Sequence, residues 1–519
     1  LPGDVFTRYY KLKGHEAVHV SGTDAHGTKI EFEAFAQGLT PKEVSERVHA
    51  KIVELLDKFE IHFENYTITE SATHKRFVTE IYQQMDANGY IFSQEEERAY
   101  CQVDKKFLAD SFVVGTCPHC GFTQAQGDQC DHCGTLLEPE QLKQPICKIC
   151  QQGQIIFKKT KNWFLDLTKL EPKLKAYVSA HPEWADNVKN LTESLLKGGL
   201  KPRAVTRDLL WGIAPPFSGA EAKVIYVWGE NALGYVSATL EYFEKLGQPA
   251  RWREFWFGDS VKHVYVHGKD NIPFHTVIFP AQLIASGQGY HLPDQIAASE
   301  YLNWAGKQKF SKSRKIGVFW DDALELLDDP TSWRFYLLYL RPERRDIEFS
   351  WEDFDKAVNG ILIDNIGNLV NRVVSLAGRK YGGVYPQADM NPDIFGQIQK
   401  VKSEYERSIE AGYLAPALRA VTDLAVVGNE YIQHHKPWEA SKPEVILTGL
   451  QLIKAICILL EPYVPAFSRK AYEILRLEQP TIEDVLKIER ERALGPAQVL
   501  LPKVDVKALR EKYSQMKAG

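Results

Sequence analysis

Ala17-Val18-His19-Val20-Ser21 runs into Gly22-Thr23-Asp24-Ala25-His26-Gly27, and an amphipathic stretch from Pro41 to Phe59 follows. The first five residues read as a short strand, the next six as a polar turn between glycines, and the last stretch as a helix with one apolar face. Strand, turn and covering helix in that order point to a parallel α/β sheet. Strand signals return at Val224 to Trp228 and Val261 to His267, each closed by a turn with glycine and polar residues. Asp24, Trp228 and Asp270 therefore each fall just past a predicted strand. Open parallel sheets gather their ligands at those carboxyl ends.

Between Tyr100 and Gln154 the periodicity fades, and glycines and cysteines cluster. Cys117-Pro-His-Cys120 and Cys130-Asp-His-Cys133 stand nine residues apart, and two such pairs can offer four thiolates to one tetrahedral zinc ion. Four thiolates leave no open coordination position, so the zinc is expected to be structural. A third pair, Cys147 and Cys150, either replaces one knuckle or recruits other ligands to a possible second site, with His119 and His132 as candidate extras. From Trp351 onward helical spacing dominates, with Phe354, Val358, Ile361, Leu362, Leu369, Val373 and Leu376 recurring at three- and four-residue intervals. This half reads as a helical bundle.

Outward from these segments, 519 residues with 44% hydrophobic content can fill several cores. The net charge of -5, from 63 basic and 68 acidic residues, is no sign of a nucleic-acid protein as a whole, so any RNA-binding surface must be local. The longest apolar run, Leu452 to Leu460, is interrupted by Lys454 and ended by Glu461 and Pro462, which predicts a buried helix and no membrane span. Six of the eight cysteines sit in Cys-x-x-Cys pairs, which suits a reducing, cytoplasmic setting. The chain opens Leu-Pro-Gly-Asp without methionine, and a segment ahead of Leu1 is expected.

Lys309-Phe310-Ser311-Lys312-Ser313, with Arg314, Lys315 and Gly317 behind it, gathers cations and hydroxyls on a short loop suited to a polyphosphate. Composition alone leaves a solvated basic loop equally open. The run resembles the KMSKS signature of class I aminoacyl-tRNA synthetases, with Phe310 at the methionine position. Gly22 to Gly27, Pro202 to Leu209 before Trp211 and Gly212, Trp228 to Tyr235, and His267 to His275 resemble, in that order, segments of methionyl-tRNA synthetases of the archaeal and eukaryotic type.

The resemblance implies a Rossmann-like parallel-sheet catalytic domain with a zinc-knuckle insertion, then an all-α anticodon-binding bundle. The expected division is residues 1–99 and 216–305 for the two halves of the catalytic domain, 100–215 for the insertion, 306–350 for the KMSKS-like loop and linker, and 351–519 for the bundle. The implied activity is ATP-dependent activation of L-methionine and its transfer to tRNA(Met), with Mg²⁺ accompanying ATP. Asp24 is then expected on the amino group of methionine, and Trp228, Tyr235 and His275 around its side chain. Gly268 and Asp270 approach the ribose, and Lys309, Ser311 and Lys312 act on the phosphates, Lys312 also counting among the ATP-binding residues. Asn368, Arg372 and Trp438 read the anticodon, with Asn365 a turn before Asn368. Apart from the resemblance, Arg341, Arg344 and Arg345 beside Pro342 form a compact basic segment that suits tRNA phosphates or, equally, surface salt bridges. Two departures stand out: Gly229-Glu230-Asn231-Ala232-Leu233 replaces the family's run after the pocket tryptophan, and the HIGH signature falls upstream of Leu1. They leave an alternative, a catalytically inactive tRNA-binding paralogue.

Overall fold

Strands β1 (Val20–Thr23) and β2 (Asn65–Ile68) pair in parallel, Val20 opposite Asn65 and Thr23 opposite Ile68. The computed structural model describes residues 1–108, 110–127, 130, 132, 133, 135, 137–311 and 314–518. β1 begins three residues later than the sequence suggests, because its partner begins only at Asn65. Ahead of β1 lies α1 (Pro2–Leu12), and the β1–β2 crossover contains α2 (Pro41–Lys58). Thr40 starts α2 with a capping box: its hydroxyl accepts from the Glu43 N–H, while the Glu43 carboxylate accepts from the Thr40 N–H. After β2, α3 (Ala72–Ala87) packs against α4 (Gly234–Lys245), which also covers β1.

Two long strands, β3 (Ile91–Cys101) and β4 (Ile155–Leu165), form an antiparallel stalk in unbroken register from Ile91 opposite Leu165 to Cys101 opposite Ile155. Glu95 faces Lys161 and Glu97 faces Lys159, opposite charges that suit an exposed ribbon. The stalk carries the cysteine segment at its tip, where Cys101, Cys117, Cys130 and Cys147 belong to a small separate core with Leu108, Val113 and Leu142. So small a core gains from metal staples.

The parallel pattern resumes with β5 (Val264–Gly268) beside β6 (Gln295–Ser299), Val264 opposite Gln295 and Gly268 opposite Ser299. The expected strand Val224 to Trp228 is corrected. Only Val224–Ile225 is extended, antiparallel to Thr206–Arg207, and Val227–Glu230 is a turn of helix. The Tyr82 hydroxyl occupies the space a Cβ on Gly229 would need and donates to the Gly229 carbonyl at 2.9 Å, so the chain turns where a strand would have continued.

The second half is helical: α5 (Asn368–Tyr381), α6 (Pro392–Glu410), α7 (Leu414–His435), α8 (Pro443–Leu460) and α9 (Val506–Ala518). Among the described residues α8 is the one helix long and apolar enough to cross a membrane, but 89% of it is buried inside the protein. Its Lys454 amine donates to the Lys487 carbonyl. One continuous core runs from Val5 and Tyr9 of α1 through Trp333 and Phe349 to the bundle helices. Arg334, fully buried, crosses that junction: it donates to Asp4 of α1 at 2.7 Å, to the Phe59 carbonyl at 2.9 Å and to the Tyr463 carbonyl at 2.9 Å. α9 returns to the 309–317 loop, where the Tyr513 hydroxyl accepts from the Gly317 N–H at 3.2 Å.

Candidate functional site

The carboxyl ends of β1 and β5 present the polar residues. Asp24 follows β1 directly, and one of its oxygens accepts from the His26 N–H at 3.4 Å. Desolvation by the surrounding wall and the charge of Glu230 push its pKa up to about 7. Glu230 is wholly buried between two imidazoles, 2.8 Å from His26 Nδ1 and 2.6 Å from His74 Nε2. Burial alone would raise its carboxyl, but the bonds and charges of the two histidines outweigh burial and hold it below the ordinary range. His26 is driven the other way: burial opposes its charge, yet Glu230 and Glu70, the latter 2.8 Å from Nε2, raise it. The altered run after Trp228 thus sends its acid inward, behind Asp24.

Trp228, two residues before Glu230, opens a set of aromatic contacts. Trp228, 36% exposed, stacks on Phe274 with ring centroids 4.5 Å apart. Phe274–Ile278 is a π-helical turn, and its His275 turns inward so that Nδ1 meets the Asn271 carbonyl at 2.9 Å and Nε2 meets the Tyr235 hydroxyl at 2.9 Å. Burial, reinforced by His267 stacked 4.1 Å away, lowers the His275 pKa to about 3. The ring is therefore neutral: Nδ1–H donates to the carbonyl and Nε2 accepts from Tyr235. Gly268 closes β5 and Asp270 follows in a single turn of 3₁₀ helix. The Tyr301 hydroxyl meets both Asp270 oxygens, and the Lys309 amine lies 5.4 Å from the Tyr301 ring centre. Ser311 and Ile316 exchange two backbone hydrogen bonds of 2.9 Å, which hold these two positions of the loop together. Gly317, at φ 107°, packs against Phe310 where a side chain would collide. Lys312 lies outside the described residues.

At the stalk tip the sulfurs of Cys117, Cys120, Cys130 and Cys133 lie within 4.8 Å of one another, a group that could hold a metal ion. Cys117 and Cys133 are 3.9 Å apart and Cys120 and Cys130 3.6 Å. Cys147 and Cys150 join Cys101 and Asp104 in a second such group, with Cys101 Sγ 3.6 Å from Cys150 Sγ and the Cys147 thiol donating to Asp104 at 3.1 Å. Of the two arrangements open from the sequence, this is the one with recruited partners. Among the described residues, neither His119 nor His132 belongs to either group, and His132 stacks on Phe122 instead.

In the bundle, the Arg372 guanidinium lies 4.6 Å from the Trp438 ring centre and donates to Gln433 at 2.9 Å, while Asn368 is exposed one turn earlier. Asn365 does not continue that face. It belongs to the π-helical stretch Lys356–Gly367, whose wider turns rotate it toward α7, where the Asn429 amide donates to its side-chain oxygen at 2.7 Å. Arg341 is likewise no surface contact: 5% exposed, it donates to the Ala297 carbonyl at 2.9 Å and to Glu343 at 2.8 Å.

The family model for class I tRNA synthetases (M) matches residues 1–374, and that for the anticodon binding domain of methionyl tRNA ligase matches residues 382–515. A methionine–tRNA ligase of Caldivirga maquilingensis is 45% identical over 90% of this chain and 80% of its own length, and one of Thermofilum pendens is 44% identical over 100% of this chain and 94% of its own. The chain belongs to the methionine–tRNA ligase family. The methionyl-tRNA synthetase of Mycobacterium tuberculosis, solved with methionyl-adenylate, superposes with a TM-score of 0.78 at 20% identity, over 96% of this chain and 95% of that one, which shows the shared fold. Against the methionine–tRNA ligase motifs, sequence reasoning missed the His26–Glu230–His74 cluster, Tyr301, and the Cys101–Asp104 half of the second group. Only the last carried a local signal, since Cys101 and Asp104 repeat the two-residue gap of the knuckles.

Proposed function

We propose that this methionine–tRNA ligase binds methionine between Asp24 and the Trp228–Tyr235–His275 pocket and ATP along Gly268, Asp270 and the 309–313 loop. Asp24 pairs with the substrate ammonium, and the neutral His275, fixed by Tyr235, presents an uncharged wall to the thioether. Asp270 accepts from the ribose. Lys309, Ser311 and Lys312 draw charge from the phosphates as the methionine carboxylate attacks the α-phosphorus and pyrophosphate departs. Mg²⁺ bound to ATP supplies further charge neutralisation. A ribose hydroxyl of the terminal tRNA adenosine then attacks the activated carbonyl and AMP leaves. The division into residues 1–99 with 216–305, 100–215, 306–350 and 351–519 follows these tasks, and the setting is the cytoplasm.

The knuckle thiolates suit structural zinc, whose ~2.3 Å bonds place tetrahedral sulfurs roughly 3.8 Å apart; the Cys117–Cys133 and Cys120–Cys130 separations of 3.9 and 3.6 Å are close to that. Asn368, Arg372 and Trp438 form the anticodon surface, where indole stacking and a guanidinium suit unpaired bases. The observation that carries the reading is that Glu230 and Asn231, just past Trp228, stand against His26 and Asp24 across more than 200 residues of sequence, while Trp228 stacks on Phe274 and Tyr235 bonds His275. Methionylation of tRNA bearing a CAU anticodon tests it. Trp438→Ala should slow charging by roughly tenfold or more, the loss of one base stack, while methionine-dependent pyrophosphate exchange stays as before. Equal damage to both reactions would contradict the division of labour.

A further inference from the structure

Asp270, the carboxylate given to the ribose in the reading above, is already engaged. The Tyr301 hydroxyl lies 2.5 and 2.6 Å from its two oxygens, on the inner face between them. A vicinal diol that donates one hydroxyl to each oxygen needs that same face, because the two acceptor positions directed toward each other lie there. Tyr301 is fixed from behind: its N–H donates to Asp346 at 2.9 Å, and its carbonyl accepts from the Ile347 N–H at 2.9 Å. Lys269, held between Glu300 and Asp346 at 2.7 Å each, places its amine 4.2 Å from the ring centre. Lys309, the first lysine of the phosphate loop, places its own at 5.4 Å. One phenol therefore touches the ribose carboxylate with its oxygen and the phosphate loop with its ring.

We infer that Tyr301 is a positioning residue that couples the two ends of the nucleotide site: its hydroxyl stands in for the sugar on Asp270 until ATP displaces it, and its ring seats Lys309 for the triphosphate. The inference rests on Asp270 being the ribose acceptor. No bond other than hydrogen bonds is exchanged, the phenol keeping its proton throughout. The hydroxyl taxes ATP binding, and the ring serves turnover. The two parts are separable by substitution.

Tyr301→Phe removes the competitor and keeps the ring. ATP should then bind roughly three- to tenfold more tightly, the scale of one solvent-exposed hydrogen bond released, with a smaller effect on kcat for methionine-dependent pyrophosphate exchange than Tyr301→Ala has. Tyr301→Ala removes the seat as well, and kcat should fall roughly tenfold while the gain in ATP affinity persists. With 2'-deoxy-ATP or 3'-deoxy-ATP the advantage of Tyr301→Phe should shrink, since neither offers a diol. Equilibrium titration with ATP, on variants whose melting matches the parent, reads the affinity without relying on turnover. Asp270→Asn separates the two ideas. If it leaves ATP affinity unchanged, the ribose assignment fails and this inference falls with it. If it weakens ATP while Tyr301→Phe leaves affinity unchanged or lowers it, the ribose assignment stands and the role of Tyr301 is overturned.

Discussion

Asp24 is the residue whose chemistry is most exposed to test. Its pKa near 7 means that the ligand-free carboxyl is largely protonated at pH 6 and charged at pH 8. The charged form is the one that attracts an ammonium, so kcat/KM for methionine should rise with pH through about 7, which reports the free enzyme. A profile flat from pH 6 to 8 would remove Asp24 from methionine binding. Asp24, Trp228, Tyr235, His275, Gly268 and Asp270 could be named as candidates from sequence because each sits inside a short contiguous motif. Glu230 was not legible as a partner of His26 and His74, because 204 and 156 residues separate it from them and only the folded chain joins them. Tyr301 was hidden for the opposite reason: a tyrosine shortly after a strand is ordinary until its hydroxyl is seen on Asp270.

At the scale of elements, the β3–β4 stalk carries at its tip the two groups that could hold metal ions, the only such groups among the described residues. Two donor groups, one of four thiolates and one of three thiolates with Asp104, predict two zinc ions per chain by metal analysis of the native protein. Cys101→Ser should lower the content to about one, leaving Cys117, Cys120, Cys130 and Cys133 loaded. One ion in the parent, or loss of both in the variant, would contradict two independent groups. The knuckles were plain from spacing, whereas Asp104 carried only the weaker signal of a two-residue gap after Cys101, with a carboxylate where the knuckles have a second cysteine. Helix periodicity found the buried face, since Phe354, Val358, Leu362, Leu369, Val373 and Leu376 are all buried and Ile361 partly so, even though Val358, Ile361 and Leu362 lie in π-helical turns. It failed at Asn365, where π-helical turns change the spacing, and at Val224 to Trp228, where apolar residues that read as a strand turn beneath Tyr82 instead.

Across the whole molecule, the catalytic half and the bundle are joined by a shared core and by Arg334 of the linker, which pairs with Asp4 on one side and donates to the Tyr463 carbonyl of the bundle on the other. Burial lowers the Arg334 pKa, while Asp4 offsets part of that cost. Asp4→Ala would leave the guanidinium buried without its carboxylate, and a loss of about 3–5 kcal/mol in urea unfolding is expected; a change under about 1 kcal/mol would mean that the carbonyls of Phe59 and Tyr463 suffice. The layering of an α/β half before a helical half was readable from the change of hydrophobic period near Trp351. The joining of the halves was not, since Asp4 and Arg334 are 330 residues apart. The decisive measurement is amino-acid-dependent ATP–pyrophosphate exchange on the native polypeptide, with methionine and the other amino acids side by side. Exchange with methionine that collapses in Asp24→Asn and in Lys312→Ala is the expected result. No exchange with any amino acid from folded, zinc-loaded protein would contradict the assignment of methionine activation to this site, and would leave a tRNA-binding role for the bundle.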